Sequence, residues 1–232
     1  MDFHPQKCSV QSTTRSRLPI KHSYTLKGQV LERSRSTRYL GVDIESDLSW
    51  KYIDRVTKKA NSMLGFLKRN LRTSNSETKS NAYIAMVRSN LDYCAIVWNP
   101  YQKEQVKKVE MVQRCAARFA TNCYMNTSSV GSMLEELDWE SLENRGVKLQ
   151  LTLLYKVVNY LVDIPCDTYL TPMSSRTRSS HTKKFRQYST KTYGYKYSFF
   201  PRTVTVWNSL PATVAEAPSL VSFKREISTL SF

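Results

Sequence analysis

The groups in this 232-residue chain suited to acid–base, nucleophilic or metal chemistry are three histidines, five cysteines and scattered carboxylates, and they are not clustered for any of it. His4, His22 and His181 lie far apart in polar, loop-like contexts, which predicts surface histidines. No nucleophile motif or glycine-rich phosphate loop accompanies them. Cys8, Cys94, Cys115, Cys123 and Cys166 are odd in number and include no CxxC pair. They are expected to be reduced thiols packed as small hydrophobes, and they offer too few closely spaced ligands for zinc. Asp43, Asp47 and Asp54 stand apart at a strand end, a turn and a helix start, where capping and solvation account for them. What the chain does supply is cations, 35 Lys and Arg against 19 Asp and Glu, a net +16 with pI near 9.7. That charge predicts a polyanionic partner or an anionic surface.

The cations are unevenly placed. Residues 1–72 carry 15 Lys and Arg against 6 acids, residues 73–170 carry 10 against 11, and residues 171–232 carry 10 against 2, giving net charges of +9, −1 and +8. Two basic ends therefore flank a near-neutral middle that reads as scaffold. Near the C-terminal end Tyr188, Tyr193, Tyr195 and Tyr197 alternate around Lys191 and Lys196, a pattern suited to stacking bases while contacting phosphates. Trp98, Trp139 and Trp207 read as core anchors. The absence of a run of about 18 apolar residues predicts no membrane span. The start, MDFHPQKCSV, lacks an apolar signal core, so an intracellular protein of the nucleus or cytoplasm is expected.

The elements that would position these groups can be read from periodicity. Tyr24–Glu32 (YTLKGQVLE) has two short β-prone arms around Lys27 and Gly28, predicting a tight hairpin. A basic loop, RSRSTR, then leads into a third strand, Tyr39–Ile44, to give a small antiparallel sheet with an open edge. From Trp50 to Leu71 the apolar residues Ile53, Val56, Ala60, Met63, Leu64, Leu67 and Leu71 recur at helical spacing, with Lys51, Arg55, Lys58, Lys59, Lys68, Arg69 and Arg72 on the remainder. Gly65, inside this helix, costs about 1 kcal/mol relative to alanine and marks a packing contact or close approach.

Ser74 and Glu77 have capping-box spacing for a second helix running to Trp98, burying Tyr83, Val87, Leu91, Cys94 and Trp98. A third helix is predicted over 103–122, with Val106, Val109, Val112, Ala116 and Phe119 inward and Lys103, Lys107, Lys108, Arg114 and Arg118 outward. A short helix near 130–137 precedes a long one over 141–161, with Leu142, Leu149, Leu153, Leu154, Val157 and Leu161 inward. Residues 171–184 (TPMSSRTRSSHTKK) read as a mobile linker. Beyond it, Pro201 takes a first helical position before Val204, Val206, Trp207 and Leu210, and Ser219 starts a last helix through Phe223 and Ile227. The expected fold is mainly α: a helical bundle with a small N-terminal antiparallel β-sheet and a basic, aromatic-rich C-terminal segment, divided at 1–48, 49–170, 171–184 and 185–232.

The order of these pieces resembles the reverse transcriptases of non-LTR retrotransposons, of the jockey and chicken-repeat kind. The signals are FHPQKC (Phe3–Cys8), YLGVDIESDLSW (Tyr39–Trp50), KKANSMLGFLKRNL (Lys58–Leu71), LDYCAIVWNP (Leu91–Pro100), VEMVQRCAARF (Val109–Phe119), SLENR (Ser141–Arg145) and FFPRTVTVWNSLP (Phe199–Pro211). Their order and spacing extend over nearly the whole chain. The resemblance implies the end of the palm, the thumb and the C-terminal region, with fingers and most of the palm before Met1. It likens Tyr39, Leu40 and Gly41 to the primer grip, and the helix from Trp50 to the first thumb helix, which in the family lies along the template–primer duplex. Two departures stand out. WKYID places Ile53 one residue early and lacks the family's histidine, which rotates the helix start by about a third of a turn, and SLENRG has Gly146 where a second arginine is usual. Both would suit a decaying copy under relaxed constraint.

Nucleotide addition by this family would need two metal ions held by carboxylates of an aromatic-x-Asp-Asp turn. No two aspartates are adjacent in this sequence. Lys7 matches a lysine that in the family sits near the leaving pyrophosphate, where it donates a proton or stabilises charge, but here it lacks the metal site to serve. The chain is thus expected to be inactive alone and to take no cofactor, Mg2+ being expected only for the complete parent enzyme. The expected partner is an RNA/DNA template–primer duplex, held by Lys51, Arg55, Lys58, Lys59, Lys68, Arg69 and Arg72 and by Lys183, Lys184, Arg186, Lys191 and Lys196, with no membrane partner. Alternative readings are a separately encoded subunit that completes a polymerase in trans by joining a fingers–palm part, and a translated pseudogene.

Overall fold

Two hydrophobic cores share one long helix. The computed structural model describes residues 3–14, 16, 18, 22–49, 51–125, 127–173 and 181–232. The fold is mainly α, with short two-stranded ribbons before the helices.

The N-terminal part starts with a 3-10 turn, Pro5–Lys7, and strand β1 (Ser9–Val10). Strands β2 (Thr25–Leu26) and β3 (Gln29–Val30) form the expected hairpin, its turn residues Lys27 and Gly28 at φ 50° and 80°. The single antiparallel sheet does not form. Strand β4 (Glu32–Arg33) pairs in parallel with β1, and β5 (Ser36–Tyr39) pairs with β6 (Val42–Glu45) as a separate antiparallel ribbon. Tyr39–Ile44 is therefore not one strand. Leu40 and Gly41 take φ 46° and 83°, which reverses the chain within two residues, and the supposed basic loop supplies the first arm.

Helix α1 (Tyr52–Asn70) starts just after the position read from sequence, and Trp50 lies outside the described residues. Its buried face adds Tyr52 and Thr57 to the expected Ile53, Val56, Ala60, Leu64 and Leu67. Each fully buried aliphatic side chain contributes about 1.5–3 kcal/mol, so this face, packed on the helix over 103–121 and on the π-helical turn after residue 82, fixes the orientation of the outer one.

The second helix begins one residue later than the capping box. Asn75 is the cap, its side chain accepting from the Thr78 amide at 2.8 Å. From there α2 (Ser76–Ala82) runs through a π-helical stretch, Tyr83–Arg88, into α3 (Ser89–Asp92). It does not continue to Trp98. Tyr93 is extended and Cys94 left-handed at φ 52°, so α4 (Ala95–Trp98) is a separate turn, with Trp98 Nε1 donating to the Tyr93 carbonyl. Helices α5 (Lys103–Thr121) and α6 (Val130–Glu136) complete the first core, although Val106 and Arg118 are only half-buried.

Helix α7 (Leu142–Val158) carries Leu142 in the first core and Leu151, Leu154 and Val157 in the second. It ends three residues earlier than its pattern. Tyr160 is left-handed at φ 53° and the Leu161 amide closes on the Lys156 carbonyl, a six-to-one bond that satisfies an end carbonyl and turns Leu161 out to solvent. The second core is built by α8 (Cys166–Tyr169), α10 (Phe199–Trp207), α11 (Ala212–Ala215) and α12 (Leu220–Ser228), with α9 (Tyr193–Lys196) on its surface. Pro201 sits third in α10 rather than first, where its missing N–H is still without consequence. Ser219 caps α12 as expected.

Within the segment 171–184, residues 174–180 lie outside the described residues, and its two ends are fastened rather than loose. Met173 donates to the Lys184 carbonyl, Arg186 to Thr171, and Asn208 makes paired hydrogen bonds with the Phe185 backbone. His181 is buried at 4% exposure against Trp207, contrary to its reading as a surface histidine. No helix among the described residues is long and apolar enough to cross a membrane.

Candidate nucleic-acid interface

The β5–β6 tip is held against α1 by two side chains. Arg55 Nη2 donates to the Gly41 carbonyl at 2.6 Å while its Nε lies 2.9 Å from Asp43 Oδ2, and its guanidinium sits 5.0 Å from the Tyr52 ring centre. Tyr93, turned outward by the break after α3, donates its hydroxyl to the Leu40 carbonyl at 2.6 Å. Gly41 is favoured here by its left-handed φ; a Cβ would meet the Tyr93 ring only at an ordinary contact distance of 3.5 Å. The clamp leaves Tyr39 and Leu40 projecting at 65% and 72% exposure. Beside them opens a groove of about 640 Å3, lined by Arg38, Arg55 and Lys59 on one side and by Ser89, Asn90 and Tyr93 on the other. No carboxylate among the described residues lines it.

The predicted cations of α1 divide into two groups. Arg55 and Arg38 share Asp43, and Lys51 lies 3.6 Å from Glu45, so these belong to the hairpin clamp. Lys58, Lys59, Lys68, Arg69 and Arg72 have no carboxylate in ion-pair range among the described residues. Lys58, Lys59, Arg69 and Arg72 are exposed and Lys68 is half-buried. Further along the surface Asp54 holds Lys108 at 2.8 Å and keeps that ammonium above its usual pKa, which neutralises this flank of the helix. Lys58 and Arg69, eleven residues apart and within about 20° of one line along the helix, form a ridge on its outer face, while Lys59 lines the groove on one flank and Lys68 lies on the opposite flank. Gly65 lies under it with only Arg69 Nη1, 3.6 Å from its would-be Cβ, so no other backbone comes close there.

The remaining predicted positions lie elsewhere. Lys7 is exposed in its 3-10 turn. Lys183 donates to Asn159 Oδ1 at 3.2 Å, and its carbonyl accepts from Trp207 Nε1, so it is a fastening of the second core. Lys184 is half-buried, while Arg186, Lys191 and Lys196 are exposed. Arg186 and Lys196 border a second cleft that shares no lining residue with the groove.

Arg38, Ser89, Asn90 and Tyr93 were not singled out in the sequence. The signal for Arg38 was present: a glycine between two short β-prone arms is a hairpin pattern, and it places Arg38 opposite Asp43. Gly146 also gains a local account. A Cβ there would sit 2.5 Å from Asn99 Oδ1, so its small size serves the packing of α7 against residue 99. None of the protein-family models, curated proteins or solved structures compared with the chain matches it.

Proposed function

We propose that the chain is the thumb-like, duplex-binding part of a non-LTR retrotransposon reverse transcriptase, holding an RNA/DNA template–primer without adding nucleotides itself. The observation that carries this reading is the outer face of α1, where Lys58, Lys59 and Arg69 have no carboxylate in ion-pair range among the described residues, next to a hairpin tip clamped by Arg55 and Tyr93. From Lys58 to Arg69 the ridge extends about 16 Å, a span in which duplex DNA presents about five phosphates per strand. Binding through it is sequence-independent and weakens with salt. Tyr39 and Leu40, at the tip, would meet the end of the duplex as the primer grip does in the family that the sequence resembles. No step of nucleotide transfer is assigned to this chain, whose sequence lacks the Asp-Asp pair, and Mg2+ would belong to the complete parent enzyme. The test is the affinity of the chain for an RNA/DNA hybrid before and after reversal of Lys58, Lys59 and Arg69 to glutamate.

A second reading, docking on a fingers–palm part supplied by another chain, is favoured by the N-terminal ribbons. Among the described residues before α1, Val42 alone is buried, while Phe3, Tyr24, Val30, Tyr39 and Leu40 are all exposed. A palm docked on the ribbons would cover these side chains. Association of the chain with a purified palm carrying an Asp-Asp turn, lost on changing Phe3 and Val30 to serine, is the expected result. No association with that palm rejects it.

A further inference from the structure

The second cleft has a composition unlike that of the groove. It is an open site of about 340 Å3 on the surface of the second core, within the range of about 300–1,000 Å3 typical of small-ligand sites. Among the described residues, five aromatic rings, Tyr169, Tyr188, Tyr195, Tyr197 and Phe200, and three cations, Arg186, Lys196 and Arg202, line it, and no carboxylate does. Four of the five rings are held by neighbours before any ligand arrives, and Tyr195 is half-exposed. Tyr197 stacks on Tyr101 at 4.1 Å and 6° and on Tyr193 at 6.4 Å and 6°, Tyr169 stacks on Phe200 at 4.5 Å and 6°, and the Tyr188 hydroxyl is 2.6 Å from Thr171 Oγ1. Arg202 is spent on structure, donating to the Asn99 and Pro100 carbonyls across the two cores, and burial holds its pKa below the usual arginine value. Arg186 and Lys196 are instead at the mouth, each over a tyrosine ring, at 5.3 Å from Tyr188 and 5.5 Å from Tyr197.

Pre-positioned π-faces with two solvent-side cations complement a ligand that is flat, aromatic and anionic at one edge. We infer that this cleft takes an unpaired nucleotide of a single strand, its base against the half-exposed Tyr195 ring and its flanking phosphates on Arg186 and Lys196. Base–aromatic stacking tolerates any sequence, and the cations supply the salt dependence. A base paired within a duplex hides its faces between its neighbours and is excluded, so the cleft separates single strand from duplex. The inference rests on the nucleic-acid reading above but uses a different surface, and the two fail separately.

The experiment titrates the full chain into a uridine oligonucleotide of about ten residues carrying one 2-aminopurine, and in parallel into an RNA/DNA hybrid. The expected result is quenching of the 2-aminopurine and loss of about tenfold in single-strand affinity for Arg186→Glu with Lys196→Glu. Tyr195→Ala, at a half-exposed ring, relieves the quenching while circular dichroism stays unchanged. Hybrid affinity falls less than single-strand affinity in these variants, because they leave the groove and the outer face of α1 untouched. Single-strand affinity unaltered by both sets of changes, or no single-strand binding by the unmodified chain, overturns the inference. Displacement of the oligonucleotide by free uridine monophosphate at equal concentration also overturns it, because the site would then be one for a free nucleotide. Loss of hybrid binding alone rejects the duplex reading and leaves the cleft assignment standing.

Discussion

Glycines at three positions have three different physical meanings. Gly41 turns the β5–β6 hairpin at φ 83° beneath the Tyr93 ring, so Gly41→Ala is expected to cost the hairpin about 1 kcal/mol. That is about a fivefold rise in amide exchange across residues 36–45, read by hydrogen exchange. Gly65 is helical, with only the end of Arg69 nearby, and Gly65→Ala is expected to stabilise α1 by up to about 1 kcal/mol, read as a higher urea midpoint. Gly146 is small because Asn99 occupies the space of a Cβ. In the sequence all three are the same letter. The turn at Gly41 was legible in its flanking β-prone arms but was read as a strand, because one Leu in the left-handed region is not announced by its type. The Gly146–Asn99 contact, 47 positions apart, has no sequence signal at all.

At the scale of elements, periodicity located the helices well and their ends less well. The inward residues of α1, α5 and α7 follow from the 3.6-residue repeat, because a bundle buries one face of each helix. Ends depend on single residues: Asn75 rather than Ser74 caps α2, Cys94 breaks the second helix, and Tyr160 stops α7. The break at Cys94 matters to the site, since it aims Tyr93 at the hairpin. The segment around His181 shows the same limit. Polar neighbours suggested surface, yet the ring is held at Trp207, with Nε2 3.1 Å from its carbonyl, and Lys184 and Glu216 nearby. Desolvation lowers the His181 pKa below 6.5, so the unfolded chain binds the proton more readily than the folded one. The stability this contributes is complete above about pH 6.5 and is lost as pH falls towards the lower folded value. Glu216, depressed first by the Thr182 amide, adds a separate loss only below about pH 4.5. Urea midpoints from pH 7.5 down to about 5 should fall for the native chain and fall less for His181→Phe.

The whole molecule has two cores joined through α7 and through Arg202, and a basic surface on each. The charge asymmetry was readable by counting, and the structure refines it. Near β6, Lys51, Arg55 and Arg38 are engaged by Glu45 and Asp43, so the 15 cations of residues 1–72 overstate the number left for a polyanion, although the net +9 already subtracts those two acids. The unpaired set on α1 is smaller and more local, which makes the central claim testable by few substitutions. The direct measurement is the salt dependence of RNA/DNA hybrid binding for the chain and for its Lys58→Glu, Lys59→Glu, Arg69→Glu variant. With three phosphate contacts removed, affinity should drop at least tenfold, and the slope of log affinity against log salt should shrink by about 0.9 per lost contact. Equal affinities and equal slopes for the two proteins would contradict the assignment of α1 as the duplex-binding face.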